Sequence, residues 1–302
     1  MIVRPDDVAN KLGYNAIAKE EDLNREMLMD FGLLRLTSGD AYDSEPHKER
    51  AFLLLDGRVL ITWRHPKSEG TITLERWNLL DEEPTVVHVS HKTQVSVSCQ
   101  SPNAELAVQA RINQTDFDPS IRRPGEYPLE RFGEGTLQNT STRIVRTFFD
   151  AATAPASNMV LGEVVNYPGK WSSYPPHTHP QPEIYHYRFF PEQGFGFSEH
   201  GENVFKVRTR DTALISPYVT HPQTAAPGYA MYYIWAIPHL PGNRFGPDSR
   251  IFCNEHKWVM QEDAPIWPDA SLRDVVEHQY IVQQDRRQGQ DRSAVGTSSP
   301  GG

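Results

Sequence analysis

The chain has 302 residues, of which 38% are hydrophobic and 23% are charged, and its formal net charge is −9. Its 24 prolines and 20 glycines argue against a helical bundle and favour short strands joined by turns. The negative charge disfavours non-specific binding to nucleic acid or to an anionic membrane. Neither a long apolar run nor a signal-peptide pattern is found, so we expect a soluble, cytoplasmic protein without a membrane partner.

The predicted elements begin with a mostly polar N-terminal stretch. Residues 14–32 contain many helix formers and end at Gly32, which predicts a helical or irregular segment packed on a larger body. From Leu33 to about residue 109 the pattern changes to short alternating and apolar runs, typical of strands. Within it, Asp56-Gly57 lies between two apolar runs and predicts a hairpin turn. A turn-rich connector over 112–137 precedes a second set of strand patterns between 142 and 237.

These patterns predict an all-β protein made of two stacked jelly-roll barrels with a few short helices. The expected regions are an N-terminal helical or irregular segment (1–32), an N-terminal barrel (33–135), a C-terminal barrel (136–265) and an extension with a low-complexity tail (266–302). Residues 284–302 offer almost no apolar surface to bury, so we expect them to be mobile unless a partner subunit holds them.

The second half carries a pattern of metal-ligating residues. His177 and His179 are two residues apart, which places both side chains on one face of a strand. Glu183 follows, and His221 comes after a strand and a proline turn. A chance His-x-His is not rare among twelve histidines, but the added Glu183 and His221 favour a metal site. Three imidazoles and one carboxylate suit Zn²⁺, Mn²⁺, Fe²⁺ or Ni²⁺, with positions left for water or substrate.

The same residues resemble the two motifs of the cupin proteins: a glycine, a spacer, His-x-His, a glutamate, then a later proline and histidine. The segments Gly169-Lys-Trp-Ser-Ser-Tyr-Pro-Pro-His-Thr-His, Glu183-Ile-Tyr-His-Tyr-Arg-Phe and Pro191-Glu-Gln-Gly-Phe-Gly-Phe are similar to the 5-deoxy-glucuronate isomerase family of myo-inositol catabolism. The family of 5-keto-4-deoxyuronate isomerase is a related branch. The resemblance is densest over 140–260 and looser over 33–140. It departs from the family at Thr178 and Pro180, which replace a usual charged pair.

The resemblance implies a bicupin whose C-terminal barrel holds a divalent ion through His177, His179, Glu183 and His221, and whose N-terminal barrel lacks a metal. It implies an aldose–ketose isomerisation of 5-deoxy-glucuronate to 2-deoxy-5-keto-gluconate through a metal-bound enediolate. Zn or Mn is expected before Fe or Ni. No nucleotide cofactor is expected, and the chain has no Gly-x-Gly-x-x-Gly fingerprint. The expected partner is a small uronate or deoxy-sugar acid, and a homo-oligomer stays open.

Other residues are weaker candidates. If Glu183 faces inward at the start of a strand, Tyr185 and Tyr187 share its face, and they are the candidates for the proton-transfer step. The alternative is that both are core aromatics with satisfied hydroxyls. Substrate-binding candidates follow from chemistry and motif position, although strand parity argues against the first of them: Arg188, Tyr233 and Tyr174. No isolated carboxylate is placed by parity beside the metal, so the general base is not identified.

Three other functions stay open at this point. A cupin dioxygenase can use the same three histidines and glutamate with Fe²⁺. A non-catalytic bicupin that binds a sugar acid would keep the metal as a structural element. A cysteine-dependent enzyme is the weakest alternative, since Cys99 lies in an alternating strand pattern and the two cysteines, Cys99 and Cys253, have no metal-type spacing.

Overall fold

The structure is a computed structural model that describes residues 1–5, 11–23, 26–261, 264, 266 and 267. Strands dominate it, as the sequence predicts. The named helices are short 3₁₀ segments at Leu137–Asn139, Pro247–Ser249 and Asn254–Met260. Within the described part of the chain, no helix is long and apolar enough to span a membrane. The tail over 284–302, predicted to be mobile, lies outside the described residues.

The N-terminal half forms a nine-stranded antiparallel sheet that follows the short strand β1 (Ile2–Val3). Strands β10, β7, β5, β9, β3 and β2 are neighbours in that order, while β6 and β8 pair with the later part of β5, and β4 pairs with β8. The strands are β2 (Gly13–Ala18), β3 (Asp30–Thr37), β4 (Ala41–Ser44), β5 (Glu49–His65), β6 (Ser68–Arg76), β7 (Val86–Val89), β8 (Gln94–Cys99), β9 (Asn103–Arg111) and β10 (Ser120–Arg122).

The C-terminal half forms three antiparallel sheets. A seven-stranded sheet has the order β1, β19, β16, β21, β13, β12 and β11; a four-stranded sheet has the order β14, β20, β17 and β18; and β15 pairs with β22. The strands are β11 (Leu129–Phe132), β12 (Arg143–Phe149), β13 (Met159–Asn166), β14 (Trp171–Ser172), β15 (His177–Thr178), β16 (Glu183–Phe190), β17 (Phe195–His200), β18 (Asn203–Arg208), β19 (Thr212–Ile215), β20 (Gln223–Ala225), β21 (Ala230–Pro238) and β22 (Ile251–Phe252).

The two large sheets pack against each other through a shared apolar layer, the central core, which contains Phe31, Leu53, Leu161, Ile184 and their neighbours. Because successive strand residues point to opposite faces, each strand also contributes to a second core on its other face. In β16, Tyr185, Tyr187 and Phe189 lie in this second layer, the C-terminal core, with Val164, Met231 and Tyr233. The alternation therefore decides which side chains of β16 can reach the site described below.

The N-terminal segment differs from its prediction. Residues 13–18 form strand β2, which pairs with β3 at the edge of the nine-stranded sheet, and β3 already begins at Asp30. The helix propensity of this stretch is outweighed by the main-chain hydrogen bonds and the burial that pairing at the sheet edge provides. Ile17 and Ala18 are both buried. Helix propensity is a weak preference of a few tenths of a kcal/mol per residue, so tertiary pairing can outweigh it.

The predicted hairpin at Asp56-Gly57 is wrong. β5 runs through this dipeptide from Glu49 to His65, with a register shift against β9 between Leu54 and Asp56. Gly57 has φ +93°, and a Cβ there would lie 2.3 Å from the carbonyl oxygen of Asn103, so the bulge needs glycine. The dipeptide bends a long strand that changes partners from β7 and β9 to β6 and β8.

Residues 1–256 form one compact unit, and a second begins at Lys257. The predicted N-terminal barrel (33–135) lies within the first unit, whereas the predicted C-terminal barrel (136–265) extends past its end. The central core contains residues of both halves. In the second unit, the described residues include the end of the last 3₁₀ helix, at Met260.

Candidate metal centre

The four predicted metal ligands lie at the ends of strands that converge. His177 opens β15, His179 follows it, and Glu183 is the first residue of β16. His221 lies in the connection between β19 and β20, and the N–H of Tyr218 in that connection donates to the carbonyl of His179 (2.9 Å). This bond joins the two segments that carry the histidines, so the cluster is held by the backbone as well as by side chains.

The three histidines present the same ring nitrogen to one another. In each ring, Nδ1 lies 2.8–3.0 Å from a backbone carbonyl, which can only accept, so Nδ1 carries the proton and Nε2 has a free lone pair. Ligand atoms of His177, His179 and His221 all lie within 4.8 Å of one another, and all three residues are buried. The accepting carbonyls belong to Pro175, Gln181 and Val219.

Glu183 completes the cluster. Its Oε2 lies 3.2 Å from Nε2 of His179 and 3.1 Å from Nε2 of His221. Burial alone would raise the pKa of the Glu183 carboxyl, but its close contacts with the rings of His179 and His221 lower it to about 2. The same carboxylate outweighs burial at His221 and raises the pKa of that ring. Burial, followed by the charge of His221, lowers the pKa of His177 to about 3.

This arrangement fits a divalent first-row ion. The three Nε2 lone pairs and one carboxylate oxygen are donors that such ions accept, and the carbonyl bonds to Nδ1 fix the tautomer that a metal ligand needs. The buried Nε2 of His221 has no hydrogen-bond partner of good geometry among the described residues, although Glu183 is nearby. An unsatisfied buried ring nitrogen costs free energy, and a metal ion would satisfy it.

Tyr185 is the tyrosine nearest to the histidines. Its ring centre lies 5.9 Å from that of His221, and its hydroxyl is 2.9 Å from Oγ of Ser173. Burial and then the charge of Glu183 raise the pKa of Tyr185 well above its ordinary value. The hydroxyl is therefore protonated at neutral pH and can donate a hydrogen bond.

Tyr187 and Tyr233 lie deeper in the same aromatic layer. The ring of Tyr233 is 4.8 Å from that of Tyr185, and its hydroxyl lies 2.6 Å from Oγ of Ser172. The hydroxyl of Tyr187 donates to Oγ of Ser198 (3.2 Å). Burial raises the pKa of both tyrosines. Strand parity thus correctly places Tyr185 and Tyr187 on one face of β16, and Tyr233 of β21 lies in the same layer.

Tyr174 lies beside the cluster rather than in it. Its ring contacts Trp171, with 5.8 Å between the ring centres. It immediately precedes Pro175, the residue whose carbonyl accepts from His177. Tyr174 is half-buried, and no ring contact with the histidines is found in the part of the chain that the structure describes.

Arg188 is not brought to the cluster. It lies on the opposite face of β16 from Tyr187, where it forms a close ion pair with Glu105 of β9. Arg35 and Arg210 also reach Glu105, at 3.3 and 3.5 Å. Together these residues line a cavity of about 710 Å³ that also contains Tyr232. The parity argument against Arg188 as a site residue agrees with this position.

The sequence did not indicate the segment that covers the histidines. The ring of Phe252 packs on His177 (5.6 Å between centres), and that of Phe245 packs on His179 (5.1 Å). Strand β22 pairs Phe252 with His177, and Nε2 of Gln181 donates to the carbonyl of Asn243 (2.8 Å). A two-residue strand has no detectable periodicity, so no local signal could have revealed this cover.

Known proteins are similar to this chain over most of its length. A family model described as the KduI/IolB family matches residues 3–259. A 5-deoxy-glucuronate isomerase of Bacillus subtilis (strain 168) is 24% identical over 270 residues, which cover 83% of this chain and 93% of that protein. The protein of the same name from Geobacillus thermodenitrificans is 28% identical over 250 residues, covering 76% of this chain and 86% of its own.

Solved structures share the fold. A crystal structure of an IolB-like protein from Salmonella typhimurium superposes with a TM-score of 0.67 at 21% identity, covering 86% of this chain and 95% of that one. The oxalate decarboxylase of Lactobacillus farciminis gives a TM-score of 0.62 at 11% identity, covering 86% and 90%. These neighbours have the cupin fold, so the predicted all-β bicupin architecture is confirmed.

Proposed function

The chain belongs to the KduI/IolB family of isomerases, and from this we propose that it interconverts 5-deoxy-glucuronate and 2-deoxy-5-keto-gluconate in inositol catabolism. We further propose that His177, His179, Glu183 and His221 hold one divalent ion, Zn or Mn before Fe or Ni. The observation that carries the proposal is the approach of ligand nitrogens of His177, His179 and His221 to within 4.8 Å of one another, with the buried Glu183 carboxylate 3.1–3.2 Å from Nε2 of two of them, His179 and His221.

A bound divalent ion with open positions would polarise the substrate carbonyl and its neighbouring hydroxyl. The chain supplies the rest. Glu183, ionised at neutral pH, balances the positive charge at the centre. The carbonyl bonds to Nδ1 keep the imidazoles oriented, and the rings of Phe245 and Phe252 keep water from that side of the cluster.

The isomerisation moves one proton between adjacent carbons and leaves the number of electrons unchanged, so no nicotinamide is needed. Tyr185 is the stronger of the two candidate groups because its ring lies against His221, whereas the Tyr187 hydroxyl is bonded to Ser198. The raised pKa of Tyr185 suits a hydroxyl that donates to the substrate oxygen on which negative charge develops. It disfavours Tyr185 as the base that removes the carbon-bound proton.

Elemental analysis combined with an isomerase assay on 5-deoxy-glucuronate tests the proposal. We expect one bound ion per chain and turnover in the wild type, and loss of both in His179→Ala. The exposed His47 gives the matched control, His47→Ala, which keeps both. Stoichiometric metal without turnover would contradict the substrate, and oxygen uptake by an iron-loaded sample would then favour an oxygenase. A wild-type protein that binds no metal after reloading would contradict the metal centre.

A further inference from the structure

Arg143, the first residue of β12, points toward the aromatic layer of the site. Its side chain leaves the same face as Val145 two residues later, and Val145 packs on the C-terminal core that contains Tyr185 and Tyr233. Nη1 of Arg143 donates to the carbonyl of Ser141 (2.8 Å), and its guanidinium lies 5.4 Å from the ring centre of Phe132. Arg146, three residues further along β12, lies on the other face of the strand, where it pairs with Glu163.

The chain just before Arg143 touches the strand that carries the serines of the site. The N–H of Trp171 donates to the carbonyl of Thr140 (2.8 Å), and the next residue, Ser172, bonds the hydroxyl of Tyr233. Burial, together with the charge of Arg250, lowers the pKa of Arg143, while Tyr233 and Tyr185 act in the other direction. Arg143 thus faces the layer that contains both tyrosines, and Arg250 acts on it as a like charge.

That second guanidinium comes from the segment that covers the histidines. Arg250 has an extended backbone (φ −77°, ψ 121°) and precedes Phe252 by two residues. Extended chain puts residues two apart on the same face, so Arg250 leaves the backbone on the side from which Phe252 packs on His177. Arg250 is exposed. One arginine therefore approaches the site from β12 and the other from its cover.

Neither arginine has a carboxylate within ion-pair distance among the residues that the structure describes. Most other arginines near the barrels do, including Arg188 with Glu105 and Arg146 with Glu163. The charge of Arg250 disfavours the charged form of Arg143, and an anion bound by both guanidinium groups would offset that effect. Guanidinium is also the group that matches a carboxylate through two parallel hydrogen bonds.

We propose that Arg143 and Arg250 form the receptor for the carboxylate of the sugar-acid substrate, beside the tyrosines and away from the histidine cluster. The inference rests on the proposed function, in which the aldehyde end of 5-deoxy-glucuronate reaches the metal ligands and the carboxylate lies at the far end of the carbon chain. It replaces Arg188, which lies on the other face of β16. Because Arg250 belongs to the cover, binding of the carboxylate also holds the cover in place over the substrate.

The test measures steady-state kinetics with 5-deoxy-glucuronate and calorimetric binding of D-gluconate, a sugar acid without an aldehyde that cannot undergo the reaction. The variants are Arg143→Gln, Arg250→Gln and the double variant, with the exposed Arg64→Gln as the matched control. We expect each single change to raise KM and the gluconate Kd by about tenfold or more, because charged hydrogen bonds are lost. Metal content stays that of the wild type, and the loss falls more on KM than on kcat.

Arg143→Lys separates a binding role from a folding role, since it keeps the charge and should recover part of the affinity while the melting temperature of each variant reports its fold. Unchanged KM and gluconate Kd in the double variant would overturn the receptor, as would a wild type that does not bind gluconate. If the wild type binds gluconate through both arginines yet does not convert 5-deoxy-glucuronate, the receptor stands and the proposed reaction fails.

Discussion

Arg76 and Glu163 form a buried, bidentate ion pair that joins the two halves of the chain. Nη1 and Nη2 of Arg76, at the end of β6, donate to the two carboxylate oxygens of Glu163 in β13 at 3.0 and 2.8 Å. Nη1 of Arg146 (2.7 Å) and the hydroxyl of Tyr232 (2.7 Å) donate to the same carboxylate. Both members of the pair are almost completely buried. One carboxylate therefore binds two guanidinium groups at the contact between the large sheets.

Replacing this carboxylate should destabilise the fold strongly. Glu163→Gln leaves Arg76 and Arg146 buried without a counter-charge, and breaking a buried pair in this way costs about 3–5 kcal/mol of the free energy of unfolding. The measurement is equilibrium unfolding in urea, with both midpoint and slope recorded.

The matched control is Glu75→Gln, which breaks an exposed pair with Arg58. Exposed pairs contribute about 0–1 kcal/mol, so this variant should unfold close to the wild type. Equal losses in the two variants would contradict a special role for Glu163.

The strand pattern of the sequence predicted the fold because each strand contributes to an apolar layer on at least one face. The alternation in β16, for example, correctly separates Tyr185 and Tyr187 from Arg188. The pattern failed where long-range pairing decides the structure. Gly57 has the sequence signal of a hairpin, but the carbonyl of Asn103, 46 positions further along, is what requires a glycine there.

The candidate site, like the fold, could be predicted from the sequence only in part. Residue type and spacing predict the metal ligands, because few other functions need three histidines and a glutamate at strand ends. The cover could not be predicted. Phe252 reaches His177 through a two-residue strand pairing across 75 positions of sequence, and Phe245 packs on His179 across 66 positions. Arg143 lies in a strand with an ordinary alternating pattern. Its proposed role in binding substrate depends on Arg250, which is distant in sequence.

Removing the charge of the ligand carboxylate should weaken metal binding. Glu183→Gln keeps the shape of the side chain but takes away the anion that lies 3.1–3.2 Å from two ligand nitrogens. We expect the metal Kd to rise at least about 100-fold, above the 10–100-fold effect typical of outer-shell partners. Competition with a chelator measures it, and the exposed Glu69→Gln is the control. A Kd within threefold of wild type would remove Glu183 from the ligand set.

The two candidate tyrosines should differ in their kinetic effect. Tyr185→Phe removes a hydroxyl beside His221 that we propose donates to the reacting oxygen, so kcat should fall about 10²–10³-fold with metal content unchanged. Tyr187→Phe removes a hydroxyl already bonded to Ser198, and kcat should fall less than about tenfold. Steady-state kinetics of both variants decides the matter. A larger effect at Tyr187 would reverse the assignment.

Buried histidines should make the metal-free protein less stable in acid. Burial and then the charge of Arg244 lower the pKa of His239 to about 4, and its Nδ1 accepts from the N–H of Phe245 (3.0 Å), which requires the neutral ring. Burial likewise lowers the pKa of His200 to about 3. Unfolded chains bind a proton at each imidazole below about pH 6.5, while the folded protein does not until pH 3–4.

Stability conferred by these neutral rings is therefore complete above about pH 6.5 and declines as the pH falls toward 4, by up to about 1.4 kcal/mol per pH unit for each ring. His239→Gln and His200→Gln should each flatten the dependence of the unfolding free energy on pH between 5 and 6, and their double variant should flatten it by the sum. Urea titrations of chelator-treated protein at several pH values measure these slopes. If the double variant kept the wild-type slope, the acid sensitivity would have to arise from carboxyl groups such as Glu49, whose pKa is lowered in the fold despite its burial by its bond to His88.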